Sequence, residues 1–97
     1  MAQVVYAPNA LANLERAFAF LAAQDPASAL NAAAAIRTAV ELLAQHPLIG
    51  RQAQGELREL VISYGATGYV ALYRFVPARD EVRILALRHQ RELDFDR

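Results

Sequence analysis

No cysteine, no lysine and no tryptophan occur in the 97 residues of this chain. Without cysteine there is no disulfide framework, no thiolate zinc site and no cysteine nucleophile. The only histidines are His46 and His89, so a multi-histidine metal site is not available. No apolar run approaches the ~20 residues that span a bilayer as a helix. No basic segment followed by an apolar stretch opens the chain as in a secretory signal, so the expectation is a soluble cytoplasmic protein. The sequence also lacks G-x-S-x-G, a P-loop, H-E-x-x-H and G-x-G-x-x-G, and its two serines, Ser28 and Ser63, sit in no nucleophile motif. No cofactor and no metal are expected.

What is present is apolar: the hydrophobic fraction is 56% against 21% charged, a balance that supports a packed core and excludes a disordered chain. The length fits one domain over residues 1–97. Ten arginines balance ten acids to a net charge of zero, which gives no bulk attraction to nucleic acid or membrane. The charge is uneven, however. Residues 1–50 carry −1, residues 51–91 carry +3, and the last six residues carry −2.

The pattern predicts a strand, two helices and three more strands. Residues 3–7 are short and β-prone, and Pro8 suits the first turn of a helix, with Asn9 as an alternative cap. Leu11, Leu14, Phe18 and Leu21 step by 3, 4 and 3 along one helical face, with Asn13 and Arg16 off it. Asp25-Pro26 ends that helix and caps the next. Over residues 26–45 an apolar stripe runs through Ala29, Ala32/Ala33, Ile36, Val40 and Leu43. Its alanines give a thin surface, which favours an antiparallel helical hairpin. His46-Pro47 stops the second helix, and residues 47–56 read as a loop. Leu57–Tyr64, Gly68–Val76 and Glu81–His89 then read as strands joined by short turns, hence antiparallel neighbours. The fold class is α+β, in the order β-α-α-β-β-β, with the hairpin on one face of a small antiparallel sheet.

Strict alternation puts Tyr69, Ala71, Tyr73 and Phe75 on one face of the second long strand. It sets Val82, Ile84, Ala86 and Arg88 against Arg83, Leu85, Leu87 and His89 on the last. Both faces carry apolar residues, so the face away from the helices is expected to present apolar and aromatic surface unless the termini or the 47–56 loop fold over it. The one polar concentration is Arg88-His89-Gln90-Arg91-Glu92, with Arg58, Tyr73 and Arg74 on neighbouring strands. Arginine clamps phosphate and histidine transfers protons; the same side chains also serve as ion pairs and strand-end hydrogen bonds.

Taken in order, several segments resemble the ParE/RelE superfamily of toxins from bacterial type II toxin–antitoxin modules. They are Ala7-Pro8-x-Ala10 with Leu14-Glu15, then Ala29 and Ile36, then His46-Pro47-Leu48-Ile49-Gly50-Arg51. Leu57-Arg58-Glu59-Leu60-Val61, Gly68 to Arg74 and Val82 to Glu92 complete the set. The resemblance implies a toxin of a plasmid-stabilisation type module, neutralised by a cognate ParD-like antitoxin in a hetero-oligomer. It implies one of two targets: DNA gyrase for ParE-like members, or ribosome-bound mRNA for RelE-like endonucleases.

The residues bear on that choice. Ribosome docking favours a strongly basic toxin, whereas this chain is neutral. RelE-like sites combine Lys, Arg and a C-terminal Tyr, or Glu, His and Tyr; here Gln90 follows His89 and Phe95 has no hydroxyl. The ParE-like reading makes Arg58, Tyr73, Arg74, Arg88, His89 and Arg91 a target-recognition surface without catalysis. The RelE-like alternative makes Arg58, Arg74, Arg88 and His89 a catalytic set. The antitoxin surface is expected on the hairpin and the open sheet face, at Leu14, Phe18, Leu21, Tyr69 and Phe75. A non-toxic interaction domain is the third reading.

Overall fold

The computed structural model describes residues 1–64, 67–92 and 95, with the side chains of residues 64 and 67 outside the description. Residues 65–66, where the sequence leads one to expect a turn, and residues 93, 94, 96 and 97 of the C-terminal end lie outside the described residues. Chain order is β1 (Gln3–Tyr6), α1 (Pro8–Gln24), α2 (Pro26–Gln45), β2 (Arg51–Gln52), β3 (Arg58–Tyr64), β4 (Thr67–Val76) and β5 (Glu81–His89). A single 3₁₀ turn, Pro77–Arg79, joins β4 to β5. It closes through Asp80, which adopts the left-handed conformation (φ 47°) that Asp tolerates in turns.

The helix limits follow from local chemistry. Pro8 stands at the start of α1, whose N-cap, Ala7, makes no side-chain cap bond. The Asp25 carboxylate caps α2 instead, accepting the Ala27 N–H at 3.1 Å and the Ser28 hydroxyl at 2.9 Å. The α2 stripe Ala29, Ala32, Ile36, Val40 and Leu43 is buried as the spacing requires.

The five strands form one mixed sheet in the order β1-β5-β4-β3-β2. The α+β class and the element order agree with the sequence. Two details go beyond it. β1 pairs parallel to β5, with Gln3 beside Glu81 and Tyr6 beside Ile84. Inside the segment read as a loop, Arg51 and Gln52 pair antiparallel with Glu59 and Arg58. The sheet is therefore mixed where an antiparallel one was expected. The first strand is separated from its partner by the whole hairpin and so is free to dock in either direction.

Alternation fails at one place. The β4–β5 register shifts between Leu72 and Tyr73, so that Leu72 faces Ala86 while Tyr73 faces Ile84. Leu85 is the extra residue of a β-bulge, which changes the phase of the strand. Val82 and Ile84 before the bulge, and Leu87 after it, therefore all join the core with Tyr69, Ala71, Tyr73, Ile36, Val40 and Leu43. Strict alternation had set Leu87 and His89 against Val82 and Ile84; the bulge corrects this. The aromatic residues Tyr69, Tyr73 and Phe75 pack on the core side. Val70, Leu72 and Ala86 are buried too. The second face of the sheet is thus not the open aromatic surface the alternation implied, although Val61 remains 43% exposed.

Beyond Tyr6, α1 replaces β1 as the neighbour of β5. The last ladder bond runs from the Ala7 N–H to the Ile84 carbonyl at 2.8 Å. One turn apart on α1, Asn9 Nδ2 donates to the Leu85 carbonyl at 3.5 Å, and Asn13 Oδ1 accepts the Leu87 N–H at 3.0 Å. The two side chains satisfy backbone groups that would otherwise be buried without partners. Asn13 is accordingly only 4% exposed, although helical spacing put it off the apolar face.

Candidate functional site

An apolar groove runs along the hairpin, with a cavity volume of about 710 Å³. Leu14, Ala17, Phe18 and Leu21 of α1 form one wall, and Ala29, Ala33 and Ile36 of α2 form the other. Tyr69 also lines it, with Glu15 and Arg37 on its border. The small side chains of α2 leave the space open. Phe18 and Leu30 remain 41% and 64% exposed beside it. Such a groove takes the apolar face of a helix or extended segment. Four of the five residues expected to bind an antitoxin, Leu14, Phe18, Leu21 and Tyr69, line it; Phe75 does not, packing partly buried against the core instead.

The arginine–aromatic set divides between two ends of the sheet. Tyr73 is fully buried on the helix side, where its hydroxyl accepts the Gly50 N–H at 2.8 Å. Burial pushes its phenol above the ordinary value, while the Gly50 hydrogen bond and the Arg58 charge pull it back. Arg58, its cross-strand neighbour, donates through Nη1 to the carbonyls of Leu48 and Gly50 at 3.1 and 2.8 Å. Both side chains hold the chain that leaves α2. Arg74 points to the other face and is exposed.

Arg88, His89 and Arg91 lie at the far end of β5. His89 pairs with Tyr69, four positions along β4 from Tyr73, which is roughly 13 Å of strand. Arg88 Nη1 donates to the carbonyls of His89, Gln90 and Glu92 at 3.3, 3.4 and 2.8 Å. Its guanidinium also lies 5.0 Å from the centre of the Phe95 ring, a cation–π contact. His89 Nδ1 accepts the Arg91 N–H at 3.1 Å, and the His89 N–H donates to Glu92 Oε1 at 2.9 Å. The imidazole meets the Tyr69 ring edge-on at 5.4 Å. This end borders a smaller hollow of about 280 Å³ with Arg16 and Phe20 of α1.

The structure therefore does not gather the six recognition residues into one surface. It gathers Arg58 with Tyr73, and Arg88 with His89 and Arg91, and employs most of them in holding backbone. Sequence reasoning missed Arg16 and Phe20 beside the second hollow; their i,i+4 spacing on α1 was the available signal. It also missed Asn13, which no periodicity marks.

Three comparisons bear on this arrangement. Residues 4–94 match the family model described as the ParE toxin of the type II toxin–antitoxin system parDE. The toxin RelE3 of Caulobacter vibrioides is 38% identical over 92 residues, covering 95% of this chain and 98% of that protein. The toxin RelE2 of the same organism is 37% identical over 93 residues, covering 96% and 100%. Among solved structures, a chain of the chromosomal ParDE toxin–antitoxin system from P. aeruginosa superposes with a TM-score of 0.72 at 20% identity, over 92% of this chain and 96% of that one. At that identity the likeness is one of fold.

Proposed function

This chain belongs to the ParE toxin family of type II toxin–antitoxin systems, and on that premise we propose that it poisons DNA gyrase by binding rather than cleaving RNA as an enzyme. The observation that supports this reading is that Arg58, Arg88 and His89 each take part in holding backbone. One nitrogen of Arg58 and one of Arg88 are spent on five backbone carbonyls, and His89 Nδ1 on the Arg91 N–H. General acid–base cleavage needs such groups within reach of substrate and free to exchange protons. The zero net charge points the same way, because phosphate neutralisation supplies much of the affinity for RNA.

Neutralisation is assigned to the groove. An amphipathic antitoxin segment would set its apolar face against Leu14, Phe18, Leu21 and Tyr69, with Glu15 and Arg37 fixing its direction.

The test is gyrase supercoiling with purified, antitoxin-free protein. Loss of supercoiling with accumulation of linear DNA is the expected result. Unchanged supercoiling by folded protein would sink this reading in favour of ribosome-dependent mRNA cleavage, the reading that the RelE naming of the two Caulobacter relatives favours. Arg58, Arg74, Arg88 and His89 would then be tested as the catalytic set.

A further inference from the structure

Helix α1 and strand β5 keep step along their shared length. Asn9 reaches the Leu85 carbonyl and Asn13 the Leu87 N–H. Four residues of helix rise about 6 Å and two residues of strand about 7 Å. The match therefore carries on to Ala17 beside His89, the last residue of β5. Residues 18–24 of α1 project past the end of that strand. At this point lies the hollow of about 280 Å³, lined by Ala17, Tyr69 and Leu87 with Phe20, Arg16 and His89. Ala17 and Tyr69 also line the hairpin groove. The two concavities thus meet, with only an alanine and one aromatic ring between them.

Size and charge indicate what the hollow takes. Its volume falls just under the roughly 300–1,000 Å³ of small-molecule sites, and suits the pocket of a single anchor side chain. Its rim carries both signs, Arg16 and Arg88 against Glu92, so a charged group gains little net attraction there. Between Ala17 and Ile36 the only charged residue is Asp25, and Phe20 holds its ring 65% exposed at the edge of the hollow. An apolar side chain is the match. Continuity names its owner. A segment seated in the groove against Tyr69 already stands at the edge of the second hollow, and an anchor placed there adds contact without a second binding event.

We infer that the second hollow seats one large apolar side chain of the same antitoxin segment that fills the groove, a second anchor on the far side of Ala17 and Tyr69. This rests on the antitoxin reading of the groove but not on the choice of gyrase. Titration calorimetry with the cognate antitoxin compares the wild-type chain, Phe20→Glu and Phe18→Glu, with thermal melts checking each fold. Phe20→Glu is expected to weaken binding by roughly 30-fold or more, the loss of a hot spot. Alanine replacements along the antitoxin segment then locate the anchor. It is a large apolar residue whose removal weakens binding to the wild-type chain about tenfold or more, but to the Phe20→Glu chain less than about threefold. If Phe20→Glu melts early, Phe20→Ser carries the same comparison. Wild-type affinity in a folded Phe20 variant, with Phe18→Glu weakened, overturns the inference and leaves the groove standing. Weakened binding with no antitoxin residue coupled to Phe20 overturns it too. Loss of self-association in the Phe20 variant by sedimentation, at unchanged antitoxin affinity, assigns the hollow to a second copy of this chain and likewise overturns it. Unchanged affinity in Phe18→Glu overturns the reading of the groove itself, and the inference falls with it.

Discussion

The hydroxyl of Tyr73, a residue with no exposed surface, accepts the backbone N–H of Gly50 across a separation of 23 residues. The fit leaves no room for a side chain. A Cβ on Gly50 would stand 2.6 Å from the Tyr73 hydroxyl and ring edge and 2.8 Å from the Glu59 carbonyl. Gly50→Ala is expected to destabilise the fold by about 1–3 kcal/mol through overpacking. Tyr73→Phe should cost about 1–2 kcal/mol by stranding the buried N–H. Denaturant unfolding of both variants measures this; unchanged midpoints would show that the junction has slack.

The same phenol sets an alkaline limit. Burial raises its pKa above the ordinary 10.0, outweighing the Gly50 hydrogen bond and the Arg58 charge that lower it. Tyr6 is raised too, by burial and then by Glu41. From pH 10 upward the unfolded chain releases these protons while the folded chain retains them. Stability is therefore full below that pH and falls as pH climbs through the folded-state values. Melting temperature against pH should decline beyond pH 10, less steeply in Tyr73→Phe than in the wild type.

Asn13 bears the edge of β5. Asn13→Leu fills similar space but strands the Leu87 N–H, for an expected cost of about 1–3 kcal/mol. Asn13→Asp keeps an acceptor oxygen at that place, so the Leu87 N–H retains its bond. Hydrogen exchange at the Leu87 amide separates the two: rapid in the leucine variant, slow in the aspartate variant. Slow exchange in both would refute the assignment.

Phe18 tests the groove. It is 41% exposed, so Phe18→Glu should leave the melting temperature within a few degrees of wild type. Placing a carboxylate under an apolar partner should weaken antitoxin binding by about 2–3 kcal/mol, roughly 30–150-fold. Titration calorimetry reads that loss. Unaltered affinity would move the antitoxin elsewhere.

Much of the fold was legible because it is written in local chemistry. Pro8, Asp25-Pro26 and His46-Pro47 bound the two helices where the structure has them, and the buried stripe of α2 follows its spacing. The partnership of β1 was not legible, since nothing near Gln3–Tyr6 encodes a strand more than seventy residues away. The bulge at Leu85 was hidden for a different reason. Leu85, Ala86 and Leu87 are all apolar, so the period-2 signal is blank where the phase changes. Of the candidate site, the groove residues on α1 were readable from helical spacing. The duties of Arg58 and Arg88 were not, because a carbonyl acceptor leaves no trace in the sequence.

The parallel seam between Gln3–Tyr6 and Glu81–Ile84 gives the molecule a timetable. As the chain is synthesised, its first strand emerges long before the strand that will receive it. The hairpin can form early from its own near neighbours, but β1 must wait through two helices and three strands. Closing so long a connection makes this pairing among the slower steps of folding. A chain interrupted before β5 holds an orphan strand and a core without Val82, Ile84 and Leu87. The seam between the first strand and the last thus forms only once β5 has been made.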